Sequence, residues 1–218
     1  MVSEKIIPIY KPIGFSSFDI IRRFKKETGF VGKIGHGGTL DPFACGVLIL
    51  LLGDATKKFD EVISWNKTYL VGIRFGAMSS SQDIAGDIKM ANCNKILLSE
   101  LKEKLSQLSN KNLIQKVSPF SAAKHNGKPL YKLAKKGIII EKSKEISIGD
   151  IEIISYRWPL LTIRVNCSRG AYMRQFAEDI GNEFGCKCFV YFLEREKVGK
   201  YNIKSCYKID KLNSILEK

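Results

Sequence analysis

Residues 35–42 read Gly-His-Gly-Gly-Thr-Leu-Asp-Pro, and this stretch carries more information about the chain than any other. Its glycines let the backbone take up positive φ values and approach a ligand closely. One imidazole, from His36, and one carboxylate, from Asp41, stand five residues apart within this frame. An Asp-Pro pair is also typical of a helix N-terminus, with Asp41 as the N-cap and Pro42 as the first helical residue. That alternative leaves the glycines and the histidine unexplained, so the stretch favours a loop with a chemical function.

We place the glycine-dense loop at 32–38. Apolar patterns on both sides of it predict strands and helices in irregular order. The apolar run 47–52 is bounded by glycines and predicts a buried strand, and residues 67–75 alternate as a half-buried strand does. A serine at 16 or 17 would cap a helix that ends at Gly29, and leucines at 98, 101, 105 and 108 recur at helical spacing. Further strands are predicted at 4–10, 146–156, 161–167 and 186–193, and further helices at 130–136 and 171–184. This mixture favours an α+β fold with a mixed, mostly antiparallel sheet flanked by helices.

No repeat, linker or low-complexity tract divides the chain, so residues 1–218 are expected to form one domain. The charge is strongly unbalanced, with 36 Lys and Arg residues against 22 Asp and Glu residues and a net charge of +14. Such a surplus favours a polyanionic partner, because each cation placed near a phosphate releases a bound counterion. A generally lysine-rich surface without such a partner is the alternative.

No apolar run approaches the roughly 20 residues that cross a membrane, and the N-terminus lacks the apolar region of a signal peptide. We therefore expect a cytoplasmic protein. In a reducing compartment its six cysteines are expected to be free thiols, mostly buried. They are Cys45, Cys93, Cys167, Cys186, Cys188 and Cys206. Only Cys186 and Cys188 are close in sequence and both histidines are distant from them, so no metal site is expected.

Several motifs in order along the chain resemble one enzyme family. They are Lys-Pro-x-Gly-x-Ser-Ser at 11–17, Gly-His-x-Gly-Thr-Leu-Asp-Pro-x-Ala-x-Gly-Val-Leu at 35–48, and Leu-Gly-x-Ala-Thr-Lys at 52–57. Downstream stand Lys-x-Tyr at 67–69, a Ser-Pro-x-Ser-Ala-x-Lys segment from 118 that extends to a Leu-Tyr pair at 130–131, and Cys-Ser-Arg-Gly-x-Tyr-x-Arg at 167–174. This ordered set is similar to the TruB family of tRNA pseudouridine synthases and covers nearly the whole chain.

The resemblance implies the pseudouridine synthase fold and the conversion of uridine to pseudouridine at position 55, in the T-loop of tRNA. The uracil must leave C1′ of the ribose, turn and rejoin through C5, with no redox change, so no cofactor is expected. A carboxylate is ionised at neutral pH and can act at the sugar without prior activation. By resemblance that carboxylate is Asp41, with Arg174 as its guanidinium partner and Tyr69 as the ring that stacks on the base and assists proton removal at C5.

The target uridine must be flipped out of a folded loop, at a cost of a few kcal/mol. The resemblance implies that His36 braces the vacated region and that Tyr172 and Leu193 line the uracil pocket. From the sequence pattern alone, Tyr69, Tyr172 and Leu193 would each be interpreted as core residues. Two basic clusters are candidates for phosphate contacts, either of which is also explained as a solvated helix face. They are Lys132, Lys135 and Lys136 before Gly137, and Arg22, Arg23, Lys25 and Lys26.

The chain departs from the family pattern in four respects. Tyr10 stands where an acidic residue is usual, Gly37 replaces the commoner threonine, and Ser-Ser-Ser-Gln-Asp at 79–83 replaces a Thr/Asp-rich stretch. Beyond the segment that carries the turn at 198–201, only about 13 residues, 206–218, are left, too few for the usual C-terminal PUA domain. We expect a monomer that acts on the T-arm of tRNA without a protein partner. Two alternatives stay open: a non-catalytic RNA-binding protein on the same scaffold, and an enzyme that works within a guide-RNA particle.

Overall fold

The structure is a computed structural model, and it describes residues 4–118, 124–125, 127–134 and 136–215. Within these residues lie thirteen strands and five α-helices. The strands are β1 (Glu4–Lys11), β2 (Ile34–His36), β3 (Cys45–Gly53), β4 (Lys67–Phe75), β5 (Ala77–Ser79), β6 (Ile88–Met90), β7 (Lys111–Lys116), β8 (Lys124–His125), β9 (Lys128–Pro129), β10 (Ser143–Arg157), β11 (Leu160–Cys167), β12 (Cys188–Val198) and β13 (Tyr201–Asn202). The helices are α1 (Ser17–Thr28), α2 (Phe59–Ser64), α3 (Leu98–Leu108), α4 (Leu130–Ala134) and α5 (Met173–Glu183).

Nine strands form one mixed sheet, which confirms the predicted α+β class. Its order is β1-β3-β12-β4-β11-β10-β7, with β2 paired to β3 and β13 paired to β12. The β3–β12 pair is parallel, and the other pairs of this sheet are antiparallel. Because β12 lies between β3 and β4, it joins the N-terminal strands β1, β2 and β3 to the strands β4, β11, β10 and β7. The two shorter hairpins are β5–β6 and β8–β9.

Local signals in the sequence predicted the best-defined elements closely. Ser16 caps α1 in a reciprocal capping box with Asp19, and Gly29 ends the helix in the left-handed conformation, at φ 65°. Strand β4 and helix α3 have the predicted bounds, and the alternation in β4 buries Tyr69 and Val71 on the predicted face. The other predicted strands and helices are present with ends that differ by a few residues.

One expectation about the loop region was wrong, and the alternative in which Asp41 caps a helix is excluded. Part of the predicted loop at 32–38 is strand β2, which pairs with β3 through Ile34, Gly35 and His36. Three residues, one of them a glycine, are too few to show a strand pattern of their own, so only the neighbouring β3 makes this segment a strand. Asp41 is not a helix N-cap, because a turn closed by Ala44 N–H donating to Asp41 C=O (3.1 Å) leads directly into β3.

Helices cover one face of the sheet along its central strands and both faces at β3. Helices α3 and α5 pack on the β4, β10, β11 and β12 side, around a cluster that includes Phe75, Leu101, Ile163 and Phe176. On the N-terminal side, α1 packs on β1 and one face of β3, whereas the other face of β3 packs on Val62 of α2. The predicted buried strand is therefore buried on both faces, and the loop that precedes it is anchored to the most protected part of the sheet.

The cysteine prediction was wrong for one pair. Cys93 and Cys186 form a disulfide that joins the segment before α3 to the turn after α5. Their thiols are 93 residues apart in sequence, and no spacing pattern indicated the pairing. Cys45, Cys167, Cys188 and Cys206 are free, and the first three of these are buried. Within the ranges that the structure describes, no helix is long and apolar enough to cross a membrane.

Candidate active site

A cavity of about 520 Å³ opens beside the loop that follows β2. Residues 38–41 form one wall, β4 and β12 form the floor, and residues 168–174, between β11 and the first turn of α5, form the opposite wall. Five of the six residues proposed from the sequence line this cavity. They are Asp41, Tyr69, Tyr172, Arg174 and Leu193. The structure therefore brings together residues that are as far as 152 positions apart.

Strand pairing explains how the floor is assembled. Strands β4 and β12 are antiparallel neighbours, with Tyr69 opposite Arg195 and Val71 opposite Leu193. Side chains two residues apart on a strand share a face. Lys67 and Tyr69 of β4 and Leu193 and Arg195 of β12 therefore all face the cavity.

Asp41 and Arg174 meet across the cavity. Arg174 Nε lies 3.1 Å from Asp41 Oδ2, and both side chains are partly exposed to the cavity. The same guanidinium donates to the Ser81 carbonyl (3.1 Å) and lies 3.5 Å from the carboxylate of Asp83, which is buried. Asp83 is itself held by the Ser81 hydroxyl (2.6 Å). Arg174 is thus fixed from the side opposite Asp41, which orients its Nε toward the catalytic candidate.

Arg195 is a residue that the sequence reading missed. It is fully buried, and its guanidinium donates to the carbonyls of Val47 (2.7 Å), Thr39 (3.2 Å) and Gly38 (3.1 Å). These bonds hold both ends of the segment that carries Asp41. In the sequence, the alternation of β12 was the only indication of the position of Arg195, because it places residue 195 on the same face as Leu193.

His36 occupies a different place from the other candidates. It ends β2, outside the cavity lining, and its Nδ1 is buried without a hydrogen-bond partner among the described residues. Burial lowers the pKa of His36 below its ordinary value, and the nearby Arg195 charge adds to this shift. The imidazole is therefore neutral at neutral pH.

Gly37, which replaces the commoner threonine, lies in a closely packed part of the loop. Its N–H donates to the Ile49 carbonyl (2.8 Å), and Val62 of α2 fills the space where a side chain would lie. An ideal Cβ at this position would overlap Val62 Cγ1. Packing by Val62 thus replaces the missing side chain.

Tyr172 is positioned from outside the cavity by Gln115 of β7. The buried Gln115 amide accepts from Tyr172 N–H (2.7 Å) and donates to Tyr172 C=O (3.1 Å). This pair of bonds fixes the backbone immediately before α5. Since Arg174 lies in the first turn of α5, the same contact sets the position of that guanidinium.

The cavity is strongly cationic. Among the described residues that line it, five are basic and only Asp41 is acidic; the basic ones are Lys67, Lys144, Arg169, Arg174 and Arg195. Burial lowers the pKa of Lys67 to about 8, and its ammonium donates to the carbonyls of Ile63 (2.6 Å) and Trp65 (2.5 Å). Burial raises the pKa of the Tyr69 hydroxyl, and the Arg195 guanidinium opposes that rise. Such a surface suits an anionic ligand with an aromatic part.

A carboxylate held by a guanidinium in a cationic cleft, on a mixed sheet, defines an α+β enzyme suited to an anionic substrate. Comparison with known families agrees: residues 23–173 match the model described as TruB family pseudouridylate synthase, N-terminal domain. The chain belongs to the TruB family of pseudouridylate synthases.

Relatives that carry the name tRNA pseudouridine synthase B extend the match over almost the whole chain. The chain is 39% identical over 207 residues to tRNA pseudouridine synthase B of Protochlamydia amoebophila, covering 93% of this chain and 77% of that protein. It is 40% identical over 212 residues to tRNA pseudouridine synthase B of Clostridium acetobutylicum, covering 96% and 72% of the two chains.

Solved structures support the fold. The chain superimposes on a chain of a Cbf5-Nop10-Gar1 complex with a TM-score of 0.75 and 20% identity, covering 97% of this chain and 54% of the other. A chain of the archaeal box H/ACA sRNP Nop10-Cbf5 complex matches with a TM-score of 0.69 and 18% identity, over 96% and 52% of the two chains. The chain thus spans about half the length of these solved chains. The likeness confirms the predicted architecture.

Proposed function

We propose that this protein isomerises uridine to pseudouridine in the T-loop of tRNA, at position 55, with Asp41 as the nucleophile on a flipped-out uridine. The observation that carries the proposal is the 3.1 Å contact of Asp41 with Arg174 in the same cavity as Tyr69. Both bacterial relatives are tRNA pseudouridine synthases, which supports tRNA as the substrate. The cationic lining of the cavity also supports an RNA substrate.

The reaction breaks the N1–C1′ bond and forms a C5–C1′ bond, while C5 loses a proton and N1 gains one. The carboxylate of Asp41 attacks C1′ of the ribose and displaces N1 of the uracil, which the cavity must retain while it turns. C5 then attacks C1′ and displaces Asp41, so the free carboxylate is restored. Arg174 holds the carboxylate in the orientation for attack, and the Ser81 carbonyl and the Asp83 carboxylate hold Arg174. A preorganised charge pair of this kind needs no rearrangement at the moment of reaction.

The released base is retained by the side chains around it. We propose that the Tyr69 ring stacks on the uracil and that Tyr172 and Leu193 close the pocket, since all three line the cavity. Because burial raises its pKa, the Tyr69 hydroxyl stays protonated at neutral pH, so it assists proton removal from C5 as a relay. The bracing role of His36 stays a prediction, because its side chain lies outside the cavity lining.

A direct test is to incubate the protein with an unmodified tRNA transcript and to map pseudouridine by position. The wild type should form pseudouridine at position 55. Asp41→Asn should bind the RNA normally but form pseudouridine at a rate lower by about 10⁴-fold or more. Asp60→Asn is the matched control, because Asp60 is exposed on α2 and is not among the residues that line the cavity. Tight binding without product from the wild type would favour the non-catalytic alternative. Modification of a bare stem-loop by the protein alone would exclude dependence on a guide RNA.

A further inference from the structure

The five basic residues of the cavity differ in what they contact. Arg174 faces two carboxylates, whereas Lys67 and Arg195 donate to backbone carbonyls. Lys144 and Arg169 have no hydrogen-bonded or ion-paired acceptor among the residues that the structure describes. Two cations of the lining are therefore free to bind an anion that enters the cavity.

Lys144 is held in a defined position although it lacks an acceptor. Its Nζ lies 4.7 Å from the centre of the Tyr172 ring, a cation–π contact. Its other neighbour is Gly170, which has φ +81° and where any Cβ would overlap the Lys144 ammonium. The stem of Lys144 thus occupies a slot between an aromatic ring and a residue without a side chain, and the ammonium is presented at the cavity wall.

Arg169 reaches the same region from a rigid turn. The turn after β11 is tied to β10 by two bonds: Ser168 N–H donates to the Ser147 carbonyl (2.8 Å), and Ser147 N–H donates to the Ser168 hydroxyl (2.9 Å). The Arg169 side chain is exposed. Burial lowers the pKa of Lys144, and the neighbouring Arg169 charge lowers it further, so the two cations repel each other in the absence of an anion.

We propose that Lys144 and Arg169 form a phosphate-binding pair that holds a backbone phosphate next to the extruded uridine. The inference rests on the proposed function. A phosphate between the two cations removes their repulsion and gains charge-assisted hydrogen bonds from both. Because Lys144 lies on the ring of Tyr172, the bound phosphate also fixes the backbone relative to the pocket that receives the base. The contact positions the substrate without reading its sequence.

The test uses a T-arm stem-loop RNA with a single uncharged methylphosphonate in place of either phosphate that flanks the target uridine. Lys144→Met should weaken binding of the unmodified RNA about 10- to 100-fold and reduce the slope of log Kd against log salt concentration by about 1. Arg169→Met should do the same, and because the Arg169 side chain is exposed, the substitution removes no core packing. Lys102→Met removes an exposed charge on α3, outside the cavity lining, and serves as the matched control.

The decisive result is the coupling between protein and RNA changes. With the methylphosphonate at the contacted position, wild type and Lys144→Met should bind equally, whereas at the other flanking position the difference should persist. The inference would be overturned if Lys144→Met lost the same affinity with the unmodified RNA and with both methylphosphonate RNAs. It would also be overturned if Lys144→Met bound as Lys102→Met does. Failure of the wild type to form pseudouridine would instead refute the proposed function, since these binding measurements do not depend on catalysis.

Discussion

Substitution of Gly37 by alanine tests whether Val62 replaces a side chain in the loop that carries Asp41. The added Cβ would overlap Val62 Cγ1 and would lie 3.3 Å from Ile49 Cβ. Ordinary contacts between carbon atoms are about 3.5–4.0 Å. Val62 is fully buried and β-branched, so its side chain cannot easily rotate away. We therefore expect the loop or helix α2 to shift.

The expected change in the free energy of unfolding of Gly37→Ala follows from two opposing effects. Overpacking of a core costs about 1–3 kcal/mol. Gly37 does not have a positive φ, so alanine gains about 0.4–1 kcal/mol through the lower entropy of the unfolded chain. The net loss of unfolding free energy should be about 1–2 kcal/mol. For a domain of this size that corresponds to a fall in Tm of about 2–8 °C.

A double-mutant cycle with Val62→Ala makes the assay specific. By itself Val62→Ala should cost roughly 1–3 kcal/mol, because it removes buried methyl groups. In the Gly37→Ala background it relieves the overlap, so the double variant should be more stable than additivity predicts, by about 1–3 kcal/mol. Thermal and urea unfolding measure the free energies, and pseudouridine formation shows whether activity returns with stability. Strict additivity of the two changes would refute the packing argument.

Three further predictions concern residues around the cavity. Asp83→Asn removes the charge that lies 3.5 Å from Arg174 Nη1. It should lower kcat by up to about 100-fold and leave the RNA affinity unchanged. An unaltered kcat would contradict the role of Asp83 as the anchor of Arg174. Burial lowers the pKa of His36 below its ordinary 6.5, so the folded state takes up the proton less readily than the unfolded chain, and wild type should lose stability as the pH falls below about 6.5. When the pH falls from 8 to 5.5, His36→Gln should lose less free energy of unfolding than the wild type, as measured by urea unfolding. Identical pH profiles for the two proteins would refute this. Gln115→Leu leaves the N–H of Tyr172 unpaired, whereas its C=O still accepts from Phe176 N–H (2.9 Å), and should cost about 1–3 kcal/mol; unfolding midpoints equal to wild type would show that the Tyr172 N–H finds another partner.

Much of the fold was readable from the sequence because its signals are local. The capping serine and terminal glycine of α1 act within a few residues, and the alternation in β4 needs only the strand itself. The short strand β2 could not be predicted, because three residues become a strand only when β3 lies beside them. The disulfide between Cys93 and Cys186 was also unpredictable, since chain spacing does not report distance in space.

By itself the sequence determined the family, through the order of its motifs, and it identified the carboxylate, guanidinium and aromatic residues that share the cavity. Only the tertiary structure showed that Asp83 anchors Arg174 and that Arg195 holds the loop. It also showed that Lys144 lies against the Tyr172 ring and that none of the described residues accepts a hydrogen bond from it. The physical reason is that a periodic pattern tells which face of a strand is buried, but not which carbonyls or charges from distant segments meet a cation there. Whether a buried cation is structural or available to substrate depends on those partners.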